Sequence, residues 1–298
     1  MVENTEAKPV SVLGGGAGKR SQWGGVWRRL RRNKLAVAAL VIVVALILMA
    51  VFARQIAPYD YAKQNPSNRF AMPSWEHLLG TDNFGRDLLS RLIVGGQISL
   101  LVAVIAVAFS LIVGGFLGAT AGFLGGLYES VIMRFMDIIM AIPGFLLAVA
   151  VSAALGGGVV NTAIAIAIGS VPGAARLVRA SVLTIKEQEF IEAARVLGNS
   201  NMRIIFTHII PNVLSPILVD STLRIGIAIM MISGLSFVGL GVAPPTPEWG
   251  SIMAAGREFI RDFWPIVTFP GVFIMLTMFG FNTLGDGLRD ALDPRLKQ

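Results

Sequence analysis

The sequence predicts an all-α integral membrane protein with six transmembrane helices and both termini in the cytoplasm. Three observations carry this. Only 14% of the 298 residues are charged and 54% are hydrophobic, whereas soluble domains average about 25% charged. Several apolar runs reach the roughly 20 residues that a helix needs to cross a hydrocarbon core, and the mean hydropathy is +0.70. Lys and Arg are also unevenly placed. Eight of the 25 lie in residues 1–34, and Arg28, Arg29, Arg31, Arg32 and Lys34 directly precede the first apolar run.

That placement decides how the formal charge of +7 is read. A cluster beside an apolar run is a juxtamembrane anchor on an anionic cytoplasmic leaflet, not a surface that follows a nucleic-acid groove. Cysteine is absent, which excludes a disulfide framework and thiolate metal sites, and histidine occurs only twice, which argues against a His-rich metal centre.

Residues 1–25 are polar and glycine-rich, the composition of a mobile tail. Leu35–Ala53 is the first span. Its length exceeds a signal-peptide core, and Arg54 follows where a small-residue cleavage site would stand. Six Lys/Arg in residues 20–34 against Arg54 and Lys63 beyond the span put the N-terminus inside. Residues 54–97 are then external. Apolar positions 88, 89, 92 and 93, with Arg86, Arg91 and Gln97 off the stripe, predict an amphipathic interfacial helix leading into the second span.

The second span, Ile98–Ala121, carries Gly114 and Gly118 at GxxxG spacing, a close-packing face that names no partner. A third span, about Ile132–Leu155, is interrupted at Pro143–Gly144. A glycine turn leads to the fourth, Val159–Ala175. After a polar interval the fifth runs about Leu214–Val242. An external segment rich in proline follows, then the sixth span, about Pro265–Gly285. Four parts result: a basic cytoplasmic tail (1–34), the first helix with its external segment (35–97), a five-helix core (98–288) and a cytoplasmic C-terminal tail (289–298).

The polar interval is EAARVLGNSNMRIIFTHIIP, Glu192 to Pro211. Glu187–Leu197 reads as a short helix, and Ala193 and Ala194 let it seat closely in a groove on a partner. Gly198 permits the left-handed turn that ends it, and Ser200 or Asn199 caps a second helix. Two short helices at an angle form a rigid knob. Of the ionisable residues within spans, Arg134 with Asp137 and Asp220 with Arg224 stand at salt-bridging spacing near the cytoplasmic ends of their helices, which favours structural pairing. Asn161, Thr162, Ser170, Ser221, Ser233 and Ser236 are read as interhelical glue. No GxxxxGK[ST] phosphate loop occurs, so the chain is not itself an ATPase, and no catalytic cluster appears.

The interval resembles the EAA loop of ABC-importer permeases: Glu-Ala-Ala, three residues, Gly, nine residues, then Ile-x-Leu-Pro. Here His208 replaces the Ile and Ile210 the Leu. HLLGTDNFGRDLLSRLIVGGQISL, GLGVAPPTPEWG and GDGLRDALDPRLKQ resemble the signatures of the dipeptide/oligopeptide/nickel permease group, C-type subunit, across about residues 25–298.

The resemblance implies a type I ABC importer permease fold in the cytoplasmic membrane of a prokaryote. Glu192, Ala193, Ala194, Gly198, His208 and Pro211 would couple to ATPase subunits, with His208 best placed as a cap on the second helix. Asp82, Arg86, Asp87, Pro245, Glu248 and Trp249 would face a solute-binding protein. The implied partners are a homologous B-type permease in a heterodimer, two cytoplasmic ATP-binding subunits that use ATP and Mg, an external solute-binding protein, a di- or oligopeptide substrate and the lipid bilayer. No cofactor is bound by this chain and no nucleic acid is a partner. Nickel, glutathione or another small solute is the alternative cargo, and an ion-coupled secondary transporter or an intramembrane enzyme is the alternative class.

Overall fold

The computed structural model describes residues 22–292. Expectations for the tail before Gln22 and for the last six positions lie outside that range. The basic cluster forms a helix, α1 (Gln22–Leu30), followed by α2 (Lys34–Val51) and a short α3 (Ala53–Ile56). Asn33 separates the first two by accepting the amide of Ala36 at 3.1 Å, an N-cap.

After an irregular stretch, α4 runs unbroken from Leu88 to Leu124, and 37 residues at 1.5 Å rise make about 55 Å. There follow α5 (Gly126–Met140), α6 (Gly144–Leu155), α7 (Val159–Ile185), α8 (Glu189–Val196) and α9 (Asn201–Ile204). A widened turn, Ile205–Ile209, joins α9 to α10 (Ile210–Phe237). The last two α-helices are α11 (Trp249–Gly256) and α12 (Pro265–Leu292).

Among the described residues, five helical segments are long and apolar enough to cross a membrane, and the bent pair α5–α6 makes a sixth if taken as one span. The spans alternate in direction. Leu30, Ala36 and Ala291 pack together, and Arg29 Nη1 donates to the carbonyl of Ala291 at 3.1 Å. The described chain therefore begins and ends at the same end of the bundle. Lys186 Nζ donates to Gly122 O at 3.1 Å, which sets the loop after α7 beside the C-terminus of α4 at that same end. This is the loop end. The opposite, cap end carries residues 57–87 and 238–264, folded over the N-terminus of α4.

The bundle is tightest where α4 crosses α7. A methyl on Gly118 would stand 2.2 Å from Ala175 O, and one on Gly114 2.5 Å from Val171 O. The GxxxG face thus meets the backbone of α7, the partner that spacing alone could not name.

One expectation is corrected and three are refined. No interfacial amphipathic helix precedes the second span: α4 starts at Leu88, and Leu88, Arg91, Leu92 and Ile93 are all buried beneath the cap. The third span is two helices bent by 86°, because Pro143 has no N–H to continue the ladder. The helices of the fourth and sixth spans run on to Ile185 and Leu292. The fifth is continuous with the second helix of the polar loop, from Asn201 to Phe237. Pro211 sits within this run, and the wide turn before it, where Ile210 N reaches back five residues to Ile205 O, makes room for its ring.

The pairing of Arg134 with Asp137 is also not observed. Asp137 instead receives Arg176 Nη2 from α7 at 2.5 Å, and Glu129 receives Arg179 Nε at 2.5 Å. Asp220 and Arg224 do pair, but near the middle of α10 rather than its end. The hydroxyls of Ser170, Ser221 and Ser233 donate to carbonyls of their own helices, so they do not glue neighbours together.

Candidate coupling loop and capping segment

At the loop end, α8 is short and two-faced. Ile191 and Ala194 are buried against Phe123 of α4 and Val178 and Val182 of α7, with Ile204, Ile205 and Ile209 completing the cluster. Glu192 and Ala193 point the other way and are exposed. This corrects one role: Ala194 seats the loop on its own bundle, and only Ala193 is free to face a partner. Arg195 lies over the ring of Phe123 at 5.0 Å, a further tie between loop and bundle.

The helix ends in a Schellman arrangement. Gly198 has φ +76°, its N–H donates to Arg195 O at 2.9 Å, and Asn199 N–H donates to Ala194 O at 3.2 Å. The Asn199 side-chain amide adds a bond to the same carbonyl at 3.0 Å. Ser200 caps α9 by accepting Arg203 N–H at 3.4 Å. His208 is therefore not the cap. It sits inside the widened turn, where its carbonyl accepts Asn212 Nδ2 at 2.6 Å. Pro211 is exposed in the same stretch.

Sequence reasoning missed two residues. Val196 and Leu197 are 88% and 81% exposed at the tip of the knob, between α8 and Gly198. Two adjacent large apolar side chains are thus held in solvent at the tip of the loop. The signal was available as a Val-Leu pair directly before the loop glycine, within otherwise polar sequence.

At the cap end, the expected binding-protein contacts are mostly structural. Asp82, Arg86, Asp87, Glu248 and Trp249 are buried, and only Pro245 of the six is exposed. Asp82 Oδ1 accepts the amides of Phe84 and Arg86 at 2.8 and 3.0 Å. Its Oδ2 takes Arg86 Nε at 2.7 Å and pairs with Arg91 at 3.3 Å. Asp87 caps α4 through Ser90 N and Oγ at 2.8 and 2.7 Å, and meets His77 Nδ1 at 2.9 Å. Buried carboxylates need such partners. The five side chains build the cap and do not present themselves to a docking protein.

Glu248 and Trp249 fasten the second cap segment to α4. Glu248 Oε1 accepts Gly250 N at 2.9 Å and Ser99 Oγ at 3.0 Å, and Oε2 accepts Ser251 N at 2.9 Å. Ser251 Oγ in turn receives the Glu248 amide at 3.1 Å, which completes a capping box.

The arrangement is a membrane bundle with a rigid cap at one end and an outward knob at the other. Residues 114–298 match the family described as binding-protein-dependent transport system inner membrane component. Residues 21–73 match the N-terminal TM domain of oligopeptide transport permease C. The chain belongs to this permease family.

The permease chain is similar to the dipeptide transport system permease protein DppC of Alkalihalophilus pseudofirmus, 48% identical over 277 residues that cover 93% of this chain and 91% of the relative. It is also similar to the di/tripeptide permease DppC of Pseudomonas aeruginosa, 45% identical with 91% of each chain covered. The glutathione transport system permease GsiD of Escherichia coli is 47% identical, with 93% and 92% covered. Among solved structures, inward-facing forms of the MetNI methionine ABC transporter align with TM-scores of 0.54 and 0.56 at 19% and 17% identity, over 69% of this chain and 97% and 98% of theirs. At that identity the likeness concerns the fold, which is that of a type I ABC importer permease. The family and the apolar helices make the chain a multi-pass protein of the bacterial inner membrane.

Proposed function

We propose that this permease is the C-type subunit of an ATP-driven importer for short peptides, paired with a homologous B-type permease. Two cytoplasmic subunits would bind and hydrolyse ATP with Mg, and an external binding protein would deliver the cargo. This chain would contribute no catalytic step. The basic α1 and the Lys and Arg of the loop end support a cytoplasmic position for that end by the positive-inside rule. The cap end would then face the binding protein, with exposed Pro245 part of its surface.

One observation carries the coupling role: the second half of the knob is the same helix as the fifth span, Asn201–Phe237. A force on Val196 and Leu197 is passed through Gly198 and Ser200 into a rod that crosses the bundle. ATP-driven closure of the two ATPase subunits would rock that rod and switch the path from inward-open to outward-open. Short peptides are the favoured cargo because two relatives named above carry dipeptide or di/tripeptide transport in their names. Glutathione, itself a small peptide, is the second reading, supported by the third relative.

The test is reconstitution of the full complex in proteoliposomes with labelled dipeptide, labelled glutathione and binding protein. ATP-dependent accumulation of dipeptide that the Glu192→Lys and Leu197→Asp variants lose supports the reading. Uptake that needs no ATP but follows an ion gradient would sink it.

A further inference from the structure

Helix lengths set the break between α5 and α6 near mid-membrane depth, on the surface of this chain. Two rulers give its depth. The 12 residues of α6 separate it from the turn at the cap end, about 18 Å at 1.5 Å per residue. A methyl on Gly169 would stand 3.6 Å from Gly144 O. Gly169 lies ten residues beyond Val159, the first of α7, or about 15 Å. Both values are near half of a ~30 Å hydrocarbon core. Yet Ala141, Ile142, Pro143, Gly144, Phe145 and Leu146 are all exposed on this chain. A stretch that leaves the helical ladder is not tolerated against lipid at that depth. It must be buried by protein or line a water-filled cavity.

A second observation chooses water. The Asp220–Arg224 pair lies at the same level and on the same face of α7. Arg224 Nη1 donates to Ser170 O at 3.3 Å, and a methyl on Gly173 would stand 2.9 Å from Nη2. Gly169 and Gly173 are one turn apart, about 6 Å along one helix face. The side chains of Asp220 and Arg224 keep 24% and 19% of their surface exposed. Partly exposed charges at mid-bilayer belong in an aqueous cavity. A third observation gives that cavity a direction. Asp220 also lines a cavity of about 430 Å³ shared with Ser215, Leu177 and Arg289. These residues lie toward the loop end of α10, α7 and α12.

We propose that the break at 141–144, the Gly169/Gly173 face of α7 and the Asp220–Arg224 pair line the aqueous substrate path at mid-membrane. Arg224 and Asp220 there contact the carboxylate and ammonium termini of the peptide in transit. The assignment of those contacts rests on the peptide reading above. Free peptides are zwitterions, and a paired cation and anion offers each terminus a partner while neutralising itself when the path is empty.

The absence of native cysteine in this chain makes the path directly testable. In the reconstituted complex, Ile142→Cys and Phe145→Cys are treated with a membrane-impermeant cationic methanethiosulfonate. Val41→Cys, on a residue 62% exposed on α2, serves as the lipid-facing control. Rapid labelling at 142 and 145, slowed by saturating dipeptide, is expected. Labelling as slow as at 41 overturns the path assignment. For the contacts, Arg224→Gln should lower uptake of a free dipeptide roughly tenfold, the scale of one lost charged hydrogen bond. Uptake of the C-terminally amidated dipeptide should change far less, and Arg224→Lys should recover part of the loss. Equal loss for both peptides, or loss for neither, overturns the contact role. If the unmodified complex takes up no peptide while 142 and 145 still label, the peptide reading fails and the path stands.

Discussion

The indole Nε1 of Trp249 donates to the main-chain oxygen of Leu92 at 2.9 Å, joining residues 157 positions apart. The ring is fully buried, and a methyl on Gly96 would stand 2.7 Å from its Cζ2. One side chain thus clamps the cap to the first turns of α4. Trp249→Phe keeps most of the buried ring and loses the hydrogen bond, an expected cost of about 1 kcal/mol. Trp249→Ala should cost about 3–5 kcal/mol. Thermal unfolding of the solubilised protein should rank them wild type, Phe, Ala. Affinity for the binding protein, per folded molecule, should not fall with Trp249→Phe; a large fall there would restore the residue as a docking contact.

Glu248 gives the companion test. Its carboxylate holds three donors, two of them backbone amides at the start of α11. Glu248→Ala orphans them in a buried site, an expected loss of at least the ~1 kcal/mol typical of an N-cap with desolvation added. Ser99→Ala removes one of the three donors to Glu248 and the acceptor of the Trp249 amide, and should cost less than the loss of the whole carboxylate. Protease resistance of the cap segment in membranes would report both, and an order reversed from this would refute the clamp.

Much of this was legible in the sequence, and what was not has physical causes. The apolar runs marked the spans because hydropathy alone decides what enters a bilayer. Their ends were misplaced because helices continue into water, as α7 does to Ile185 and α12 to Leu292. Gly198 and Ser200 were readable because left-handed turns and N-caps are local chemistry. The burial of Asp82, Arg86 and Asp87 was not, since it depends on residues 57–87 folding back over α4. Asp137 stood at a workable spacing from Arg134, yet a neighbouring helix offered Arg176 closer. Pro143–Gly144 announced a break, but its 86° angle is set by what α5 and α6 each pack against.

The crossing of α4 and α7 predicts a steep steric series. At Gly118 the nearest atoms to an added Cβ are backbone atoms of Ala175, the closest at 2.2 Å, so no side chain can rotate away. Gly118→Ala should cost on the order of 1–3 kcal/mol, the range for overpacking, and Gly118→Val more. Gly115, one residue from Gly114, has only Val178 Cγ2 near it, at 4.0 Å, and Gly115→Ala should be nearly neutral. Unfolding temperatures in detergent would settle it. Equal effects at 115 and 118 would contradict the close approach.

The knob has an inside and an outside, and substitutions should separate them. Ala194→Asp puts a charge into the cluster of Ile191, Ile204 and Ile209 and should destabilise the chain by several kcal/mol. Leu197→Asp and Val196→Asp change side chains already in solvent and should leave the fold intact while abolishing co-purification of the ATPase subunits. Ala193→Asp should behave like these two and unlike its neighbour Ala194. If Ala193 and Ala194 respond alike in both stability and assembly, the facing of α8 is wrong.

Gly198 allows the coupling role to be tested without touching any contact. Its φ is +76° and nothing lies within 4 Å of an added Cβ, so a substitution there acts through the backbone alone. Gly198→Asn, tolerated in left-handed turns, should retain most transport. Gly198→Ala pays the left-handed penalty of about 1–2 kcal/mol, and Gly198→Val adds β-branching to it. Gly198→Pro cannot adopt the angle and also loses the N–H that bonds Arg195 O. Transport should fall in that order, with the unfolding temperature of the bundle falling much less, because the turn lies outside the buried cluster. ATP hydrolysis uncoupled from uptake in Gly198→Val would locate the defect in transmission, while normal uptake in Gly198→Pro would show that the turn transmits nothing.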